Sequence, residues 1–347
     1  MTLDSVPHQD RGPHRRRIPN VARLVAAPLI LVMMGTSFAA NNPKKIVGPE
    51  QCVECHTMEL PVLERSHHYR GFFTMHRHPE AKEIGKRLGI RRVKRDPLCQ
   101  SCHYTAKEVD GKVKPISGVS CESCHGAARD WLEVHSDYGE AAAETESEVH
   151  QKQRHDNSAE AGLTAPFRIY GLVSKCYGCH TVADEQLVNI GGHPSGSAFE
   201  LVAWSQGEIR HNYFYSKDKK NREASAERKR VLYVLGRALE LEHALRALAK
   251  ASHDGEYGRA MQERAKKAIE ALRLVQHKRA PLKELEEMLQ LVDGLTIELG
   301  QGETLVTAAD RLQPLARHLG EYTDGALLAP IDDLLPKRSS YRGKALP

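Results

Sequence analysis

Outside four short clusters this chain has no cysteine at all, and from residue 222 onward it has none of any kind. That leaves no stray thiol for a separate disulfide framework. A long hydrophobic run is also missing: Leu24 to Met34 is short of the roughly 20 apolar residues a membrane helix needs, and no second stretch follows it. There is no basic stripe interleaved with aromatic residues, so the formal charge of +5 is no argument for nucleic-acid binding. Few alternating apolar runs occur between residues 45 and 215, and little regular sheet is expected there.

What is present accounts for every cysteine. The clusters are Cys52-Val53-Glu54-Cys55-His56, Cys99-Gln100-Ser101-Cys102-His103, Cys121-Glu122-Ser123-Cys124-His125 and Cys176-Tyr177-Gly178-Cys179-His180. Paired Cys-x-x-Cys also opens zinc ribbons and redox dithiol sites, but those readings leave the histidine after each pair unexplained. Cys-x-x-Cys-His is the attachment code for c-type haem: two thiols add across the two vinyl groups, and the adjacent histidine ligates iron. Four covalently attached haem c groups are therefore expected, on Cys52, Cys55, Cys99, Cys102, Cys121, Cys124, Cys176 and Cys179, with His56, His103, His125 and His180 as the first iron ligands.

The N-terminal residues agree on a compartment. Arg15-Arg16-Arg17 and Arg23 form a basic flank, Leu24 to Met34 an apolar stretch, and Ser37-Phe38-Ala39 a small-x-small cleavage signal. The expectation is a signal peptide over residues 1–39, a mature chain from about Ala40 and a periplasmic protein, with an uncleaved membrane anchor as the lesser alternative. Residues 1–39 hold five Arg against Asp4 and Asp10, so cleavage leaves +2. Two propionates on each of four ferric haems then bring the mature protein to about −2.

The mature chain divides by composition. Residues 45–215 hold every cysteine, both tryptophans and thirteen of the nineteen histidines. Short helices are expected around each motif, with loops at Lys107 to Ser117 and Gly139 to Ala165; His150 and His155 in the second loop read as solvated. Residues 222–347 read as a helical bundle. Val231, Leu235, Ala238, Leu241, Leu245 and Leu248 recur at helical spacing, as do Tyr257, Met261, Ala265, Ala268, Leu272 and Val275, and then Leu282, Leu285, Leu289 and Val292. Pro281 suits a first turn and Gly294 a helix end. A fourth helix from about Glu303 is expected to kink or stop near Pro314. The fold class is thus mainly α: a multihaem c-type cytochrome region followed by a C-terminal helical bundle that packs on it or mediates association.

The second ligand of each iron separates a carrier from an enzyme, since bis-histidine ligation closes the iron and an empty sixth position admits a substrate. Outside the motifs the candidates are His67, His68, His76, His78, His135, His193 and His211, with Met58 and Met75 as weaker ones. His76 and His78 read as propionate contacts or exposed groups, and Trp131 and Trp204 as packing against haem faces.

Gly118-Val119-Ser120-Cys121-Glu122-Ser123-Cys124-His125-Gly126, followed by Arg129 and His135, resembles the third haem segment of the tetrahaem cytochrome c-554 family. The first motif followed by Ser66-x-His68 is similar to that family too. The resemblance covers roughly residues 48–215 and leaves out the C-terminal helices. It implies that His68 lies opposite His125 on the third haem, that His135 closes the first haem opposite His56, and that haems one and three stack. His67 is the register rival of His68. The resemblance favours His211 over His193 for the fourth haem, opposite His180. His193 is then available to the second haem, which is five-coordinate in the family.

These features point to an electron-transfer cytochrome. The resemblance implies redox partners: a donor oxidoreductase and a membrane quinone or terminal reductase module. The alternative is an oxidoreductase acting on a small nitrogen compound at an open second haem. The chain lacks a Cys-x-x-Cys-Lys motif, which weakens the analogy to multihaem nitrite reductases.

Overall fold

In the computed structural model a single helix, Ala226–Leu248, is buried on nearly every side. Its apolar positions are not confined to one stripe, and a helix apolar all round belongs inside a protein. The structure describes residues 41–347 except 141, 214, 215, 217 and 279–281, together with residues 1 and 2. The leader, its cleavage signal and Pro281 fall outside the described residues. Phe38–Pro347 forms one compact unit, apart from Met1–Ser37.

Helices dominate that unit. In chain order they are α1 (Pro49–Val53), α2 (Leu60–Arg65), α3 (His67–Thr74), α4 (Pro79–Arg87), α5 (Pro97–His103), α6 (Cys121–His125) and α7 (Glu148–Glu160). Then follow α8 (Ile169–His180), α9 (Glu185–Asn189), α10 (Leu201–Ser205), α11 (Ala226–Leu248), α12 (Glu256–His277), α13 (Lys283–Asp293) and α14 (Gly302–Glu321). The sheet is one antiparallel hairpin of β1 (Thr105–Val109) and β2 (Lys112–Ser117). The chain is mainly α, as expected.

Three expectations change. Lys107 to Ser117 is not a loop: Asp110 and Gly111 both take positive φ, the signature of a two-residue turn whose twist matches paired strands. Gly139 to Ala165 contains α7, held by a Ser147 cap on His150 N–H and by Glu146, whose buried carboxylate pairs with Arg154 and His150. Finally, α14 runs through Pro314 to Glu321. Leu312, Ala316 and Leu319 on either side of the proline are buried, and this tertiary packing outweighs the one backbone bond that proline removes.

α11 packs against α8, α10, α12 and α14, so the haem-motif region and the C-terminal helices share one apolar core from Ile169 to Ile331. Leu235, Leu239, Leu241 and Leu245 are fully buried, each contributing about 2 kcal/mol by removal from water. Gly236 lets α8 and α10 come close: a Cβ there would meet Leu201 at 2.9 Å, and its carbonyl accepts the Tyr177 hydroxyl at 2.7 Å. Charged groups on α11 are partnered from distant elements: Glu240 by Arg264 at 2.7 Å, Glu242 by Tyr170 at 2.8 Å, Arg230 by Asp332 at 2.6 Å. An unpaired charge in such a place costs several kcal/mol, so these pairings are a condition of burying the helix.

Because the core is shared, the haem-motif region is expected to depend on the residues from 222 onward. Truncation before α11 exposes the inner face of α8, and soluble haem-stained protein recovered from the periplasmic fraction is expected to fall to a small fraction of wild type. Wild-type yield of a soluble, haem-bearing truncated protein would show that α8 folds without α11.

Candidate functional site

Each motif sits on or beside a short helix. A Cys-x-x-Cys-His run in helical conformation brings its two thiols and its histidine to neighbouring positions, because residues three and four apart share a face. The second motif lies on α5, started by Pro97 and capped by Asp96, which accepts from Leu98 N–H at 3.0 Å. The third lies on α6, whose Ser120 and Ser123 form a reciprocal capping box. The fourth ends α8, with Tyr177 between its cysteines buried against α11. The first begins on α1 and finishes in the turn after it. Glu122, inside the third motif, is fully buried and accepts from Val47, Gly48 and Ala128 N–H at 2.8 to 3.0 Å, tying this motif to the strand of chain that leads into the first.

Every motif histidine faces one other histidine. Ring centres are 6.4 Å apart for His56 and His135, 6.2 Å for His103 and His193, 6.2 Å for His125 and His211, and 6.1 Å for His68 and His180. An imidazole nitrogen binds a first-row metal at about 2 Å, so two imidazoles on opposite sides of one ion have ring centres about 6 Å apart. The four spacings match that requirement. Among the described residues no three His, Cys, Asp or Glu converge on a point, so the histidines come in pairs.

The far nitrogen of most of these rings is already engaged. Nδ1 of His125 donates to Thr164 O at 2.8 Å, His180 to Ser197 Oγ at 2.8 Å, His193 to Pro194 O at 2.9 Å and His211 to Ile209 O at 2.6 Å; His135 donates to Leu132 O. Nδ1 of His56 lies 3.9 Å from Glu59, whose carboxylate raises the pKa of that imidazole. A hydrogen bond that places the proton on Nδ1 leaves the Nε2 lone pair for a metal. Burial acts in the same sense, holding His103, His125 and His180 down at about 4 and therefore neutral. His68 and His135 are lowered too, again by burial first.

All eight histidines proposed from the sequence are thus brought into pairs, but two partnerships differ from expectation. His68 faces His180, not His125, and His211 faces His125, not His180. The start of α3 lies close against the chain that enters the third motif: Gly118 has no Cβ, and one there would lie 2.5 Å from His68 O and 2.3 Å from Tyr69 O. Val119 N–H is bonded to His68 O at 3.1 Å, while the His68 ring faces His180. His67, the register rival, is exposed and held by Glu208 at 2.8 Å. His78 pairs with Glu80, and Met58 is 41% exposed. His150 is bound to Glu146 at 2.7 Å, and His155 is stacked on Phe167 at 4.0 Å rather than simply solvated.

The Nδ1 acceptors were missed by sequence reasoning. Glu59, three residues beyond His56, carried a spacing signal; Thr164 and Ser197 are contributed by loops and carried none. Trp131 and Trp204 stand edge-on to His135 and His180 at 5.2 and 4.9 Å.

The surroundings of the pairs offer donors to the acidic side chains of a flat, iron-centred group. Three buried polar atoms beside the pairs have no hydrogen-bond partner in the protein: Trp131 Nε1 next to His135, Thr181 Oγ1 following His180 and Arg210 Nε preceding His211. Each is a donor, and propionates are acceptors. Together with paired imidazoles and adjacent thiols, this donor set fits haem c.

The motifs also adjoin one another. The thiols of Cys52 and Cys121 act on each other, raising the first and lowering the second. Those of Cys102 and Cys179 do likewise, with Cys102 brought to about 7. Cys124 acts on Cys176, and α6 packs on α8. The order of adjacency is first, third, fourth, second.

A chain with these motifs and paired histidines is a c-type cytochrome, and c-type cytochromes hold their haem covalently. The family described as cytochrome c554 and c-prime matches residues 51–126, so this part of the chain is similar to that family. Cytochrome c-554 of Nitrosomonas europaea is 27% identical over 165 residues, 45% of this chain and 66% of that protein. The match therefore spans just under two thirds of the relative's own length. No solved structure matches the chain.

The partnership of His68 is separable by a double-variant experiment. His68→Ala is expected to convert one low-spin haem to high-spin with all attached haems retained, and His67→Ala to leave the spectrum unchanged. In a background where Cys176 and Cys179 are both alanine, His68→Ala should then have no further effect on the remaining low-spin signals. A second low-spin haem lost in that background would reassign His68 to another iron.

Proposed function

We propose that this protein is a periplasmic tetrahaem electron carrier in which every iron is closed by two histidines. The reading rests on one observation: four histidine pairs, each with one motif histidine, at ring spacings of 6.1 to 6.4 Å. In this reading residues 1–39 are an export leader, 45–215 bear the haems and 222–347 brace them from behind. Among the described residues no helix is long and apolar enough to cross a membrane.

Bound haem supplies reversible one-electron chemistry, and bis-histidine coordination keeps it similar in both oxidation states. The chain's own part is to hold the ligands. His193 matters most here, since its place opposite His103 favours a closed second iron over one open to a small nitrogen compound. Its ring is presented by Pro194, which restricts the backbone before it and accepts its Nδ1 proton. The adjacency of the motifs supports a relay with ends at the first and second. Its expected partners are a donor oxidoreductase and a membrane quinone or terminal reductase module, with self-association or a larger complex formed through the C-terminal helices.

Electron paramagnetic resonance of the oxidised protein tests this directly. Four low-spin ferric haems, unchanged by cyanide or nitric oxide, are expected. A high-spin signal that either ligand converts would identify an open iron and put an enzyme in place of the carrier.

A further inference from the structure

One end of the motif series lies under a strongly charged surface. From His76 to Arg95 the chain carries eight Lys or Arg against two Glu. Both carboxylates are already engaged, Glu80 by His78 and Glu83 by Arg87 and Lys86 at 3.6 and 4.0 Å. Arg77, Lys82, Arg91, Arg92 and Arg95 are exposed, and none has an ion-pair partner among the described residues. The cations are near neighbours: Arg77, Lys82 and Lys94 all act on His76.

This surface is mounted on the second motif from both sides. Lys94 O accepts from Gln100 of α5 at 3.1 Å, between Cys99 and Cys102. Arg87 of α4 donates to Gly191 O at 3.3 Å, two residues before His193. Ile84 and Leu88 turn inward onto Gly191, so α4 offers no apolar face for lipid. Phe73 is 56% exposed and lies edge-on to Phe72, over which Lys94 sits at 3.3 Å. An aromatic residue with a charged rim is the composition of a protein interface.

We propose that residues 76–95 form a docking face for an acidic redox protein, which meets this chain over the His103–His193 pair. The proposal rests on the carrier reading and adds where one partner binds and what charge it has. Unpaired like charges held in one place destabilise the free surface and are relieved by an opposite one, which steers encounter and raises the on-rate.

The test uses the full haem-loaded protein and an acidic flavodoxin as the probe. Haem content and spin state are measured first, so that failure of the carrier reading is seen apart from failure of docking. Binding of oxidised flavodoxin is then followed by calorimetry, which needs no electron transfer. The charge reversal Lys82→Glu/Arg91→Glu/Arg92→Glu is expected to weaken binding by on the order of ten-fold or more at low salt, with the difference shrinking as the Debye length falls below about 5 Å. Reversal of equal net charge elsewhere, Arg259→Glu/Lys266→Glu/Lys267→Glu on α12, should change it far less. Equal weakening by both variants, or none by the first, would overturn the proposal. So would wild-type binding to phosphatidylglycerol vesicles that the first variant loses while its flavodoxin affinity stays the same, which would assign the surface to lipid.

Discussion

Two imidazoles on opposite sides of one iron must be held about 6 Å apart, facing each other, and in this chain the two members of each pair are never neighbours in sequence. Much of the rest of the arrangement follows. His56 waits for His135, His103 for His193, His125 for His211 and His180 for His68, so each pair closes a long loop and the loops interlock. Closing a long loop costs only slightly more entropy than closing a short one, but it does cost, and here four closures are required before the pairs exist. In the proposed reading, haem bonded to one segment and ligated from another would supply a strong cross-link at each point. Such cross-links would account for residues 41–168 managing with short helices, one hairpin and few fully buried apolar side chains.

The fourth motif stands at the junction between this cofactor-built part and an ordinary apolar core. One side of α8 presents His180 to His68, while Val173 and Tyr177 enter the core with α11. The C-terminal helices act on the site as well as on stability. Arg264 of α12 pairs with Glu240 of α11 and donates at 3.0 Å to Ser197 O, whose hydroxyl accepts the Nδ1 proton of His180. The orientation of the His180 ring is therefore set from α12, and where such a ring ligates a metal, outer-shell partners of this kind tune both ligand basicity and potential.

Legibility differed by kind of feature. The attachment residues, the mainly helical fold and the helical stripes after residue 222 could be read because each is a local pattern: a pentapeptide, or a periodicity within one helix. All eight ligand candidates could be named, since histidine is the usual partner of haem iron and the region is dense in it. Which histidine faces which could not be read, because each pair is made by segments far apart in sequence. The hairpin is a different case. Asp110-Gly111 between short apolar-containing runs is a two-residue turn signal, and it was present to be read. α11 misled in the opposite direction: Arg230, Glu240 and Glu242 look like a solvated face until partners from α12, α8 and the Asp332 segment are in place.

In the proposed reading the second iron is closed, and the placement of His193 bears on why. The Gly191-Gly192-His193-Pro194 turn is braced by Arg87 of the basic segment and by the His193 N–H bond to Leu187 O at 3.1 Å. A loop held by its neighbours at several points presents its histidine at low cost in entropy, which favours a ligand that stays bound through a redox cycle over one that swings away. A partner docking against residues 76–95 would meet the Arg87 brace. Closed coordination and a docking surface are then compatible demands on one turn, because both ask that the loop not move. An open catalytic iron beneath the same surface would instead need a path for its substrate between two proteins.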